Sequence, residues 1–363
     1  MMRISKLLVG EKRQKIIIPV VSVLLGFLLG GIIILLTGKN PISAYSALLK
    51  GAGFYGNSLN LGNTLLTSTA LILTGLSVGF AFRTGLFNIG ASGQMLAGGF
   101  FAVYLGITLD LPKVIHLPIC ILVAMIFGAL WAFIPALLKA KYKIHEVVTT
   151  IMMNWIAFWS VSYFVPLLIK GKFNTQSASI KNSASLRVEW MSNLFNGSKV
   201  NLGLILALIA VFIVWLILEK TTFGYELKAV GFNKDAAEYA GIKVNRNIIY
   251  SMMISGALAG LAGATVYIGY SSSIQIGHLP TQGFDGIAVA LLGLNEPVGI
   301  FFAAILIGAM NQGKIMMQVA EQIPSEIVSV ITGIIIFFAS AKLMVKEFLN
   351  RIETKAKQDG GGK

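Results

Sequence analysis

Residues able to do covalent or hydrolytic chemistry are scarce in this chain, and their spacing excludes more than it supports. No Gly-Lys pair is followed by Ser or Thr, so no phosphate-cradling loop of a nucleotide hydrolase is present. His145-Glu146 lacks a second histidine four residues on, and the other histidines, His116 and His278, are predicted on the opposite side of the membrane assigned below, which leaves zinc hydrolysis without ligands. Gly51-Ala-Gly53-Phe-Tyr-Gly56 matches G-x-G-x-x-G with no strand before it and no βαβ unit around it, and is read as chance. The single cysteine, Cys120, lies in an apolar run and is expected to be an inert buried thiol, which excludes a disulfide framework and a cysteine metal cluster. No enzymatic centre, metal or cofactor is expected.

Neutral polar residues remain, and they sit in unusual places. Gly85-Leu-Phe-Asn88-Ile-Gly90-Ala-Ser92-Gly93-Gln94 and Gly283-Phe284-Asp285-Gly286 open two Gly-interrupted apolar segments, each with an amide or carboxylate near its start. At membrane depth an unpaired polar group costs several kcal/mol, so Asn88, Gln94, Asn154, Asp285, Asn311 and Gln312 need partners or water. Two readings stand: hydrogen bonding between helices, or the lining of a pathway. Asp285 has a third, a place near the outer interface. Trp155, Phe158, Trp159 and Tyr163 share a helix face, either as a stacking platform for a planar solute or as lipid-facing aromatics.

The elements that position these residues follow from composition. Apolar residues make up 56% of 363, charged residues 12%, and mean hydropathy is +0.79, which excludes a soluble domain. Apolar runs long enough to cross a hydrocarbon core of roughly 30 Å predict an all-α polytopic membrane protein. Ten spans are expected, over 16–36, 64–82, 86–108, 114–138, 147–169, 202–218, 249–270, 283–294, 297–313 and 326–341. The first is too long for a signal peptide and lacks a cleavage site directly after it. Of the 29 Lys and Arg, 20 then fall on one side and nine on the other, which puts both termini in the cytoplasm. The net charge of +14 follows these loops rather than a single face, so no nucleic-acid partner is expected.

The two interrupted segments lie five spans apart, an odd offset that inverts one against the other, as in an inverted 5+5 repeat. Gly26-x-x-x-Gly30, Gly75-x-x-x-Gly79 and Gly256-x-x-x-Gly260 predict close helix packing. The transmembrane domain is expected over 1–345, with an external loop at 170–201, an internal segment at 219–248 that turns helical around Asn233–Ala240, and a cytoplasmic tail at 346–363. Sparse charge within the spans favours a permease driven by an external motor over an ion-coupled carrier.

The strings FRTGLFNIGASGQMLAGG (82–99), YELKAVGFNKDAAEYAGI (225–242) and GFDGIAVALLGLNEPVGIFFAAILIGA (283–309) resemble the permease subunits of bacterial ABC importers in the ribose/branched-chain amino acid branch, and within it the longer permease of nucleoside importers. The resemblance covers roughly 16–345. It implies a multi-pass permease of the cytoplasmic (inner) membrane, surrounded by lipid, that pairs with a shorter homologous permease, two ATP-binding cassette subunits and an external substrate-binding lipoprotein. ATP is then bound by the partners, and nucleosides are the implied cargo, with simple sugars or related small polar solutes as the alternative. Ala229, Gly231, Asn233, Ala236, Ala237, Tyr239 and Gly241 match the family's coupling loop, and Asn88, Ser92, Gln94, Asn154, Trp155, Phe284 and Asp285 are expected along the substrate pathway. Ser92 departs from the family, where Glu is common.

Overall fold

The computed structural model describes residues 11–173 and 175–340. Arg3, Lys6 and the tail predicted at 346–363 lie outside the described residues. The described chain is helical: α1 (Glu11–Leu36), α2 (Pro41–Gly51), α3 (Ser58–Arg83), α4 (Ala91–Thr108), α5 (Lys113–Tyr142), α6 (Glu146–Leu168), α7 (Glu189–Leu194), α8 (Gly203–Lys220), α9 (Thr222–Phe232), α10 (Lys234–Tyr239), α11 (Val244–Ala264), α12 (Gln282–Leu292), α13 (Pro297–Glu321) and α14 (Ser325–Ser340). A π-helical turn, Thr265–Ser271, extends α11. Among the described residues seven helices are long and apolar enough to cross a membrane, and α12 and α14 are shorter apolar helices.

Burial sorts the long helices into two groups. In α3 and in α11 with its π turn, 78% of the most apolar window is buried, against 28% for α1, α5, α6 and α8. The first two are therefore the core of the bundle, and the others present a broad apolar face outward. α3 can be buried all round because its Ser, Thr and Gly residues let neighbours close in: a Cβ on Gly75 would meet Val289 of α12 at 2.8 Å, and one on Gly79 would meet Ile300 of α13 at 2.6 Å. α11 approaches more closely still. A Cβ on Gly260 would lie 2.1 Å from the Ala124 carbonyl of α5, and one on Gly128 only 2.3 Å from that of Gly256. Gly26 and Gly30 lie against Ile335 and Ile331 of α14, so all three predicted small-residue pairs mark helix contacts.

The contacts are reciprocal. The helix after the first interruption, α4, packs on α11 and α5, while the helix after the second, α12, packs on α3 and α13. Each interrupted segment thus leans on the core helix of the other half of the chain.

Several expected boundaries shift. α3 begins at Ser58 rather than 64, with Asn57 accepting a hydrogen bond from Leu59 N, and α13 runs on past 313 to Glu321. α2, which hydropathy alone does not suggest, is started by the Asn40 side chain and by Pro41 in the first turn. α4 begins at Ala91 and not at 86, because residues 84–90 are non-helical. The internal segment holds two short helices, α9 and α10, where one helical stretch is expected. Cys120 is buried, as its surroundings in sequence predict.

Candidate functional site

Non-helical backbone inside a bundle must find hydrogen-bond partners. At 84–90 the partners are the predicted amides. Asn88 Nδ2 donates to Gln94 Oε1 and to Ser255 Oγ, both at 2.8 Å, and Gln94 Nε2 returns a bond to Asn88 Oδ1 at 3.0 Å. Asn88 Oδ1 also takes the Gly90 N–H at 3.0 Å. Asn154, from α6, accepts from Gly93 N at 2.8 Å and donates to Ile89 O at 3.0 Å. Ser255 Oγ completes the network on the Ser77 carbonyl of α3 at 2.7 Å. These three amides are 0–2% exposed.

In this arrangement Asn88, Gln94 and Asn154 are buried and fully engaged with the protein. They brace the interrupted backbone that opens α4, the first of the two readings their types allowed. Trp155 is separated from Asn154 by its place on the helix: it lies on the outer face of α6 with Trp159 and Tyr163, all more than half exposed. That placement puts the three rings outside the bundle interior.

The two interrupted segments do meet. Gly283 lies so close to Ser92 that a Cβ there would come within 2.3 Å of the Ser92 N and Oγ. Ser92 is fully buried, and its hydroxyl has no hydrogen-bond partner among the described residues. Phe284 is partly exposed beside this contact, and Asp285 is half-buried, within electrostatic range of Lys314.

A cavity of about 500 Å³ lies near this contact, at the end of the bundle away from Arg83. Its walls come from the start of α3 (Leu59, Asn63, Leu66, Thr67, Thr69, Ala70), the segment before α8 (Gly197, Lys199, Asn201), the π turn (Thr265, Val266, Tyr270), Gln282 of α12, and Gln312 and Ile315 of α13. Lys199 is the one charged residue in this lining. Thr67 and Thr69 turn their hydroxyls back to the carbonyls of Asn63 and Leu65. Asn63 Oδ1 accepts from Ser198 Oγ, and Asn201 Oδ1 accepts from Gly203 N. Arg187 holds the π turn from outside through the carbonyls of Gly269 and Tyr270. Of these lining residues the sequence singled out Gln312 alone.

At the opposite end, α9 and α10 form a bent hook. Gly231 sits against the α3–α4 turn: a Cβ on it would lie 2.3 Å from Arg83 O, and Gly85, at φ +71°, faces it in return. Only a residue without a side chain fits that approach. Asn233 begins α10 by accepting from Ala236 N at 3.0 Å, and Gly241, at φ +82°, ends it as Ile242 N reaches back to Ala237 O. Ala237 is buried, Ala229 half-buried and Ala236 exposed. Tyr239 is 97% exposed and Phe232 93%, so the hook offers two bare aromatic rings. Phe232 is absent from the set that sequence picks out. Arg83 also reaches the α12–α13 turn, donating to Asn295 O at 2.9 Å and pairing with Glu296 at 2.7 Å. The hook is tied to α11 by Glu226, which accepts from Asn247 at 2.8 Å and Arg246 at 3.0 Å. The Asn247 amide, and after it the Arg246 guanidinium, hold the Glu226 carboxyl below its usual range.

A helical bundle with braced interruptions, a polar cavity free of carboxylates at one end and an exposed aromatic hook at the other fits the architecture of a membrane permease. The profile of the family described as branched-chain amino acid transport system / permease component matches residues 60–340, and the chain belongs to that family. It is 42% identical over 346 residues to the guanosine ABC transporter permease protein NupP of Bacillus subtilis, covering 95% of this chain and 99% of that one. It is 42% identical over 353 residues to the nucleoside ABC transporter permease protein NupB of Lactococcus lactis, covering 94% of each. A second Bacillus subtilis protein, the guanosine ABC transporter permease protein NupQ, is 31% identical over 260 residues, 68% of this chain and 78% of its own length, so relatives of this chain occur in pairs within one organism. No solved structure matches the chain. The family and its apolar helices make it an integral protein of the cytoplasmic membrane.

Proposed function

We propose that this chain is the longer permease subunit of an ABC importer that moves nucleosides across the cytoplasmic membrane. The observation that carries this reading is similarity to guanosine and nucleoside permeases along nearly the whole of each chain. The permease domain spans 1–345 and crosses the membrane ten times, by α1, α3, α4, α5, α6, α8, α11 with its π turn, α12, α13 and α14, with both termini in the cytoplasm. The reciprocal packing of α4 on α11 and of α12 on α3 supports an inverted 5+5 repeat.

In this reading the chain pairs with a shorter homologous permease, and the hook at 219–248 is the coupling segment. Phe232 and Tyr239 enter a cleft on one of two ATP-binding subunits, and Gly231 passes their motion to the α3–α4 turn. An external lipoprotein delivers solute to the side of 170–201. The path then runs past the Ser92–Gly283 contact and Phe284–Asp285, while Asn88, Gln94 and Asn154 keep that path in shape rather than lining it. No cofactor belongs to this subunit.

The test is guanosine uptake into proteoliposomes holding both permeases, the ATPases and the receptor. Uptake requires ATP and all subunits, with glucose as the competing solute. Uptake by this chain alone under a proton or sodium gradient would replace the reading with a secondary carrier.

A further inference from the structure

We propose that the cavity between α3, α12, α13 and the π turn is a nucleoside-binding subsite, with the carboxamides of Gln282 and Gln312 and the ring of Tyr270 as its recognition groups. The proposal rests on the nucleoside reading above and deepens it, since neither the relatives' names nor the motifs place any substrate here.

Volume and chemistry both fit. At about 500 Å³ the cavity is within the range of small-molecule sites. Its lining holds no carboxylate, so a neutral solute meets no unpaired acid on entry. A nucleoside carries hydroxyls and base edges that lose water on entry and need donors and acceptors together, and a carboxamide supplies both. Most polar groups on these walls are already engaged with the protein: the hydroxyls of Thr67 and Thr69 on carbonyls, Asn63 through Ser198, and Asn201 on Gly203 N. Gln282 and Gln312 make no side-chain hydrogen bond among the described residues, although both are partly buried. Two uncommitted amides on helices drawn from one half of the chain, facing the start of α3, leave a gap for a ligand to bridge.

Tyr270 adds the element that separates a nucleoside from a sugar. Its ring stands on the cavity wall, 46% exposed, with Lys199 Nζ 5.3 Å from its centroid, on a π turn whose carbonyls Arg187 holds in place, so a base that stacks here shares the ring with that cation or displaces it. A π turn offers a side chain at an angle that a regular helix does not, and such turns are frequent at functional sites. Aromatic rings stack on every base whatever its edge pattern, which suits a path that must pass several nucleosides. Gln282 is also the residue before Gly283, so a solute bonded to it lies one residue from the contact between the two interrupted segments.

Cys120 is fully buried and is the chain's one cysteine, which makes cysteine labelling the direct test. Gln312→Cys is placed in the complete reconstituted transporter, with Trp190→Cys, on the exposed external segment outside this cavity, as the control. Both are treated with a small hydrophilic methanethiosulfonate, with receptor present in every arm. Guanosine is expected to slow labelling at position 312 at least fivefold and to leave 190 unchanged. Equal labelling at 312 with and without guanosine, in complexes whose wild type imports guanosine, overturns the subsite alone. Absence of guanosine uptake by the wild-type complex overturns the function reading and this proposal with it.

A transport arm separates recognition from packing. Gln282→Ala with Gln312→Ala is expected to lower uptake about tenfold or more, the loss of two neutral hydrogen bonds, with receptor-stimulated ATP hydrolysis and melting temperature kept. Tyr270→Phe keeps uptake and Tyr270→Leu loses it. Uptake within twofold of wild type in the double variant overturns the assignment.

Discussion

Asn88, Gln94 and Asn154 on one side, and Gln282 and Gln312 on the other, are the same functional group in opposite states. The first three are sealed from solvent: Asn88 and Gln94 bond to each other, Asn88 also to Ser255 and Gly90 N, and Asn154 to the backbone of Ile89 and Gly93. The last two stand at a cavity with no protein partner among the described residues. A carboxamide in a membrane protein is therefore not a marker of the transport path as such. Asn88 and Asn154 bond to the broken backbone beside them; Gln282, the first residue of α12, and Gln312, within α13, make no such bond.

The contrast predicts opposite phenotypes, the largest in the braced set. Asn88→Leu strands the Gln94 amide and the Gly90 N–H in a buried place, and is expected to lower stability by about 3 kcal/mol or more, read as a fall in the unfolding midpoint of the purified complex. Stability within about 0.5 kcal/mol of wild type would show that the brace is not needed. Gln312→Leu should do the reverse, with an unfolding midpoint close to wild type but guanosine uptake reduced about fivefold. Joint loss of folding and uptake would merge the two classes that the structure separates.

Ser92 tests the rule on a hydroxyl. It is buried with no partner, so Ser92→Ala should leave stability unchanged or raise it by up to about 1 kcal/mol, measured in the same melts. A loss instead would reveal a bond to this oxygen. The smallest effect is expected from Glu226, the carboxylate that the buried Asn247 carboxamide serves. Because the folded Glu226 carboxyl is held below its usual range, the stability from this tether is fully present above the ordinary carboxylate pKa. It is lost as pH falls through the lowered folded value. Melting curves of wild type and Glu226→Gln from neutral pH downward should therefore converge in acid; a constant gap would assign the effect to shape rather than charge.

How far the sequence reached depends on whether the signal is local. The seven long apolar helices, the buried Cys120 and the three small-residue contacts are local, being written in runs of apolar residues and in fixed Gly spacings. The hook was legible through Asn233 and Gly241, whose capping roles follow from residue type, but exposure of Phe232 depends on what packs around it. Spacing put Trp155, Phe158, Trp159 and Tyr163 on one face of α6, where Phe158 is half-buried and the other three are exposed, and was silent on whether that face looks in or out. The cavity was least legible, because its walls come from residues as far apart as Leu59 and Ile315, and the π turn that presents Tyr270 has no simple sequence signature. Gln312 stood out only as a polar residue in an apolar run.

Arg83 carries a further consequence. Its carbonyl lies beside Gly231 of the hook, its chain neighbours form the α3–α4 turn, and its guanidinium grips Asn295 and Glu296 at the α12–α13 turn. A displacement arriving at Gly231 is divided at this one residue between the turns that precede α4 and follow α12. It acts as a shared pinion, gearing the two interrupted segments together and opposing any half-stroke in which one yields while the other holds.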